Sequence, residues 1–138
     1  MSEYRKLATK FTSRQHLREA LKAAGVPFEE VRPGQPERHL VGYQGDTRPE
    51  TATFIVRRKH ISDVSNDLGF KWDPKQRCFV EIVSEYDQTC RQTVKLRQTI
   101  KREYAVAAAT SAAKAKGYRV NRIDLPTGEV QLKVAGRI

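Results

Sequence analysis

Arg91, Lys95, Arg97, Lys101, Arg102, Lys114 and Lys116 fall between Gln88 and Lys116 with one acid among them, Glu103, so six of the chain's ten net positive charges sit in one stretch. At helical spacing Arg91, Lys95, Gln98 and Arg102 share one side of a cylinder, opposite an apolar stripe of Leu96, Ile100, Tyr104 and Ala107. Such a face offers charge-assisted hydrogen bonds to phosphate or carboxylate groups. A merely solvated helix usually mixes both signs, because Glu–Lys pairs four residues apart stabilise it. Two readings compete. One is a solvated outer face of long side chains. The other is a docking surface for an anionic macromolecule, nucleic acid or acidic protein, through Arg91, Lys95, Arg97, Lys101 and Arg102. Arg57, Arg58 and Lys59 form a secondary basic surface, and with the Arg119 and Arg122 pair they extend the first if the fold brings them near.

Other chemistry is sparse. His16, His39 and His60 have no sequence neighbour that marks a nucleophile–base pair. Cys78 and Cys90 lack the close spacing of a zinc or redox motif and read as two reduced thiols; Cys90 falls in the first turn of the long helix, where a thiolate can be stabilised, but reads as a buried or neutral thiol. Asp63, Asp67 and Asp73 lack metal-loop spacing and read as turn and cap residues, so neither a metal nor a cofactor is expected. Gly42-Tyr43-Gln44-Gly45 has the form of a backbone-clamping nucleic-acid loop, but it lies among strands and carries no basic residue, which favours a plain glycine turn. With Asp46 and Arg48 nearby, Tyr43 and Gln44 are also where an unrecognised enzyme pocket would be sought. Phe54, Phe70, Trp72 and Phe79 read as core, with base stacking by Trp72 the alternative.

The elements that must position these residues come from periodicity. Alternation over Tyr4 to Phe11 predicts a strand, and Leu17, Ala20, Leu21 and Ala24 predict a helix capped by Thr12 or Ser13 and stopped at Gly25. Short strands are predicted at Val26 to Val31 and His39 to Gln44, then a turn over Gly45 to Glu50 and a strand over Thr51 to Lys59. Asp73-Pro74 opens the turn of a hairpin between Gly69 and Val83. One long helix is predicted from about Gln88 to Lys116 with Asp87 as its cap. A C-terminal hairpin turns at Pro126-Thr127-Gly128 and buries Val130, Leu132 and Val134 on one face.

The expected fold is α+β over residues 1–138 as a single domain: a mostly antiparallel sheet, one short and one long helix on one face, and a β-hairpin at the C-terminus. At 138 residues and a formal charge of +10 the chain has the size to fold without disulfides and the charge to attract anionic partners. No apolar run is long enough to span a bilayer, and no signal-peptide pattern is present, so a cytoplasmic protein is expected.

Several short motifs, in order, resemble a known family. They are Leu7 and Thr9 of the first strand, Leu17, Ala20, Leu21 and Gly25 of the first helix, and Gly42-Tyr43-Gln44-Gly45. Leu68-Gly69-Phe70 with Trp72, then Gln98, Tyr104-Ala105, Gly117-Tyr118 and Val120 complete the pattern. It is similar to small proteins of unknown function from cyanobacteria, other bacteria and algal plastids, the hypothetical chloroplast reading frame thirty-five family. The chain departs from that pattern in the loop from Pro33 to Pro36, in the less acidic Glu85-Tyr86-Asp87 and in its strong positive charge. The resemblance implies a compact α+β accessory factor and transfers no catalytic residue. Three functional readings follow: a non-catalytic adaptor that docks an anionic partner through the long helix, an enzyme with a pocket near residues 42–48, or a subunit of a larger assembly.

Overall fold

The computed structural model describes residues 2–137. Its centre is a five-stranded antiparallel sheet in the order β1-β7-β6-β5-β2. These strands are β1 (Tyr4–Ala8), β2 (Glu29–Glu30), β5 (Phe54–Val56), β6 (Leu68–Asp73) and β7 (Cys78–Ser84). β7 is buried along its whole length, as a strand covered on both faces must be. Phe54, Val56, Leu68, Phe70, Phe79 and Val83 pack toward α1 (Arg14–Ala23) and α3 (Arg91–Ala115), which supply Leu17, Leu21, Ile100 and Tyr104. Ile55, Val80 and Ile82 point the other way, onto Leu40 and Ala52 of the hairpin formed by β3 (Arg38–Val41) and β4 (Thr47–Ala52). A second hairpin, β8 (Tyr118–Asp124) with β9 (Val130–Arg137), folds back against α3 and completes the α+β fold.

Several elements form as their residues require. Ser13 caps α1 by accepting from the His16 amide, and Gly25 ends it with φ +72. Asp73 closes the β6–β7 turn by accepting from the Lys75 amide and the Gln76 side chain. The third layer depends on Gly69, because a Cβ there would stand 2.8 Å from Ala52 Cβ and 3.1 Å from Leu40 Cδ2. Only a residue without a side chain lets the β3–β4 hairpin lie this close to the sheet.

Other elements differ from the sequence reading. Thr51 to Lys59 is not one strand: the chain leaves the β3–β4 ribbon at Ala52 and joins the central sheet at Phe54, while Arg58–His60 forms a 3-10 turn. Gly45 to Glu50 is not all turn, since β4 begins at Thr47; Pro49 fits because β4 pairs on one side only. The long helix is broken. Ser84 caps α2 (Glu85–Thr89), Asp87 lies inside that short helix, and Cys90 at ψ 125 separates it from α3. Ala108, not Ala107, continues the stripe of Leu96, Ile100 and Tyr104. Trp72 is not core: it is 41% exposed and rests edge-on against Phe79 at the sheet end. The C-terminal hairpin buries no full face, for Val130 and Leu132 are half-covered and Val134 is exposed. Among the described residues no helix is long and apolar enough to cross a membrane.

Adding the missing methyl at Gly69 tests the layer contact. Gly69→Ala is expected to lower stability by about 1–3 kcal/mol, read as a lower urea midpoint at unchanged slope. An unchanged midpoint would mean that Leu40 and Ala52 yield without cost.

Candidate anion-binding surfaces

The molecule carries two separate basic surfaces. The first is the outer face of α3. Arg91, Lys95, Gln98 and Arg102 are exposed there, opposite the buried Ile100 and Tyr104, and Lys101 is exposed on the flank of that face. Among the described residues Arg91, Lys95 and Lys101 have no carboxylate within ion-pair reach. Arg97 differs: it turns inward and donates two hydrogen bonds, at 2.9 and 2.7 Å, to the buried Glu81 of β7. Arg102 pairs with Glu103 and donates to the Gly128 carbonyl, so it ties the C-terminal hairpin to the helix. Arg122 reaches back to Glu103 with two further bonds and also binds Asp124. That makes Arg122 a structural residue, and Arg119 lies on the opposite side of the β8–β9 ribbon.

The second surface is an open cleft of about 700 Å³ between the β3–β4 hairpin and the Arg58–His60 turn. Arg57, Arg58 and Lys59 form one side, and Arg38, His39, Val41 and Thr47 the other. It lies away from α3, because Arg57 follows Ile55 on the hairpin side of the sheet, so the two surfaces do not merge. The cleft floor is densely hydrogen-bonded. Asp67, 1% exposed, accepts from the amides of Val41 and Arg58 and from the Arg57 guanidinium, all at 2.7–2.8 Å. Arg57 also donates twice to Glu29 and once to the His39 carbonyl. Arg38 adds one more bond to Glu29. The hydrogen bonds from Arg57, with help from Arg38 and against the cost of burial, hold the Glu29 carboxyl down at about 2.

Next to it, Glu30 is held down at about 2 by Arg18 first, against burial, and then by Arg14, both on α1. The two-residue strand β2 is therefore a carboxylate clip between α1 and the cleft. Sequence reasoning singled out neither Glu29 nor Glu30, nor Arg38. The pair of adjacent acids in an otherwise basic chain was the available signal.

The loop at 42–48 is a built turn. The Asp46 carboxylate occupies the space where a Gly42 side chain would be. The Tyr43 amide donates to buried Asn66, and Gln44 donates to the Tyr43 hydroxyl. Arg48 lies over the Tyr4 ring and donates to the Ser2 carbonyl. Neither the cleft described above nor the smaller one between Gly25, His60 and Leu96 is lined by Tyr43, Gln44, Asp46 or Arg48. Of the histidines, His16 packs edge-on against Tyr104, His60 borders the smaller cleft, and only His39 reaches the basic one. The two cysteines are free and buried. Burial raises the Cys90 thiol, but the Thr93 amide and the hydroxyls of Ser65 and Thr93 outweigh it and hold the thiol below its ordinary value.

Residues 26–132 match the family model described as "Protein of unknown function (DUF1257)", in keeping with the small family of unknown function that the sequence motifs resemble. No curated protein and no solved structure matches the chain.

The carboxylate clip makes stability acid-sensitive with a defined sign. Glu29 and Glu30 have folded values below their ordinary 4.5, so their contribution is complete above that pH and is lost as pH falls toward about 2. A Glu29→Gln/Glu30→Gln variant is expected to be less stable at neutral pH and to lose stability less steeply on acidification, measured by urea unfolding at several pH values. An acid limb parallel to that of the wild type would refute the assignment.

Proposed function

We propose that this chain, which belongs to the DUF1257 family of proteins of unknown function, is a non-catalytic binding module that docks an anionic macromolecule on the outer face of α3. One observation carries the reading: Arg91, Lys95 and Lys101 stand exposed on one helix without an acidic partner among the described residues. Elsewhere among the described residues Arg5, Arg14, Arg18, Arg38, Arg48, Arg57 and Arg122 each pair with a carboxylate. A face left with one sign raises the local concentration of polyanions and speeds their encounter. Arg97 and Arg102 serve this face indirectly, by fixing α3 against β7 and against the C-terminal hairpin. The partner's class, nucleic acid or acidic protein, follows from charge alone and is resolved by the probe.

The test uses charge reversal with a charge-matched control. Arg91→Glu/Lys95→Glu/Lys101→Glu leaves the structural arginines in place. Lys6→Glu/Lys10→Glu/Lys133→Glu makes the same change in net charge at exposed positions elsewhere. Binding of a labelled duplex oligonucleotide and of a polyglutamate peptide is measured over a salt series. The helix variant is expected to lose roughly tenfold or more in affinity beyond the control for one of the two probes, with a shallower salt dependence. Equal losses in both variants would overturn the reading.

A further inference from the structure

We infer that the cleft between β3 and the Arg58–His60 turn binds a phosphate monoester of nucleotide size, with Arg58 and Lys59 engaging the phosphoryl group. This site does not depend on the docking role of α3.

Charge gives the first argument. Four cations, Arg38, Arg57, Arg58 and Lys59, line the cleft with two carboxylates, Glu29 and Asp67, leaving an excess of two positive charges. The pairing is uneven. Arg57 binds both acids and Arg38 binds Glu29. The Arg58 side chain has only a long contact of 3.5 Å to the Asp63 carbonyl, and Lys59 has no hydrogen-bond or ion-pair partner among the described residues. The fold thus uses two of the cations and leaves two free at one site. A dianionic phosphate monoester matches that residue of charge, whereas a single carboxylate leaves one cation unmet. Guanidinium and ammonium groups are the side chains that bind phosphate most strongly.

Rigidity gives the second. The amide of Arg58 is held by Asp67 at 2.7 Å, so the backbone that carries Arg58 and Lys59 is fixed before any ligand arrives. Preorganisation of this kind lowers the entropy cost of binding. His39 gives the third. Its Nδ1 lies 2.9 Å from the Arg48 carbonyl, which requires the proton on Nδ1, and its Nε2 has no hydrogen-bond partner among the described residues. At about 700 Å³ the cleft exceeds what a phosphate alone fills and lies in the range of small-molecule sites.

The experiment is an amide NMR titration of the full chain at constant ionic strength with inorganic phosphate, ribose 5-phosphate, adenosine 5′-monophosphate and adenosine. The three phosphates are expected to shift the amides of Val41, Arg58 and Lys59, and the two esters separate a sugar phosphate from a nucleotide as the source. Adenosine alone is expected to shift none of them. Arg58→Ala/Lys59→Ala should weaken phosphate binding roughly tenfold or more, and Lys6→Ala/Lys10→Ala, the same loss of charge at exposed positions away from the cleft, should leave it unchanged. Lys59→Ala alone, at an exposed side chain without a partner, repeats the test should the double variant fold poorly. Absence of cleft shifts with every phosphate, undiminished affinity in a folded Lys59→Ala variant, or shifts as large with adenosine as with its monophosphate would overturn the proposal.

Discussion

A buried polar segment, Ser65-Asn66-Asp67, holds the layers of this protein together. All three residues are almost fully withdrawn from water, which is costly unless each polar atom is matched. Asp67 is matched by the hairpin through Val41, by the cleft through Arg57 and Arg58, and by β1, whose Tyr4 hydroxyl donates to its carbonyl. Asn66 is matched by the Tyr43 amide and by Asp87 of α2. Asp87 in turn accepts from Ser84 and from Thr93 of α3. Elements from distant parts of the chain therefore meet on two carboxylates, one side-chain amide and one main-chain carbonyl. Removing either carboxylate would strand several buried donors at once, which costs more than the loss of any one hydrogen bond.

The same structure divides its cations by type. Among the described residues one ion pair uses lysine, Lys71 with Glu37, and the others use arginine. The guanidinium is planar and weakly hydrated, and its fork fits a carboxylate with two bonds, so it tolerates partial burial where an ammonium does not. Arg57 on Glu29, Arg97 on Glu81 and Arg122 on Glu103 all use it this way. The net charge of +10 is thus not spread evenly over structural and free groups. The excess lies in side chains the fold does not need, of which Arg58, Lys59, Arg91, Lys95 and Lys101 are the ones gathered at two surfaces.

How much of this was legible in the sequence depends on the range of the interaction. The β6–β7 hairpin and α1 were, because Asp73-Pro74, Ser13 and Gly25 act on residues next to them. The outward placement of Arg91, Lys95 and Arg102 was as well, since it follows from the stripe of Leu96, Ile100 and Tyr104 through helix geometry alone. The break at Cys90 was not, because no glycine or proline marks it and the inward bonds of Asp87 to Asn66 and Thr93 exist only in three dimensions. The change of layer at Thr53 was hidden for a similar reason. It requires the absent side chain of Gly69, and alternation continues on both sides of it. Nor could spacing separate Arg97, which serves Glu81, from Lys101, which serves no acid, since both lie on the flanks of the same stripe. The cleft was half visible: Arg57-Arg58-Lys59 stood out as a run, while Arg38, His39 and Glu29 join it only in three dimensions.

The two basic surfaces stand on opposite faces of the sheet, yet the same buried segment reaches both. Asp67 fixes the Arg58 amide at the cleft, and its neighbour Asn66 meets Asp87, which holds Thr93 in the first turn of α3. Substitutions in this network disturb both surfaces together and say nothing about either alone. The informative positions are those the network does not touch. Lys59 and Arg58 carry side chains with no carboxylate partner at the cleft, and Arg91, Lys95 and Lys101 do so on α3. The side chains best suited to bind a partner are thus also the ones whose loss the fold should bear, because the arginines that build the structure are a different set from the cations left free.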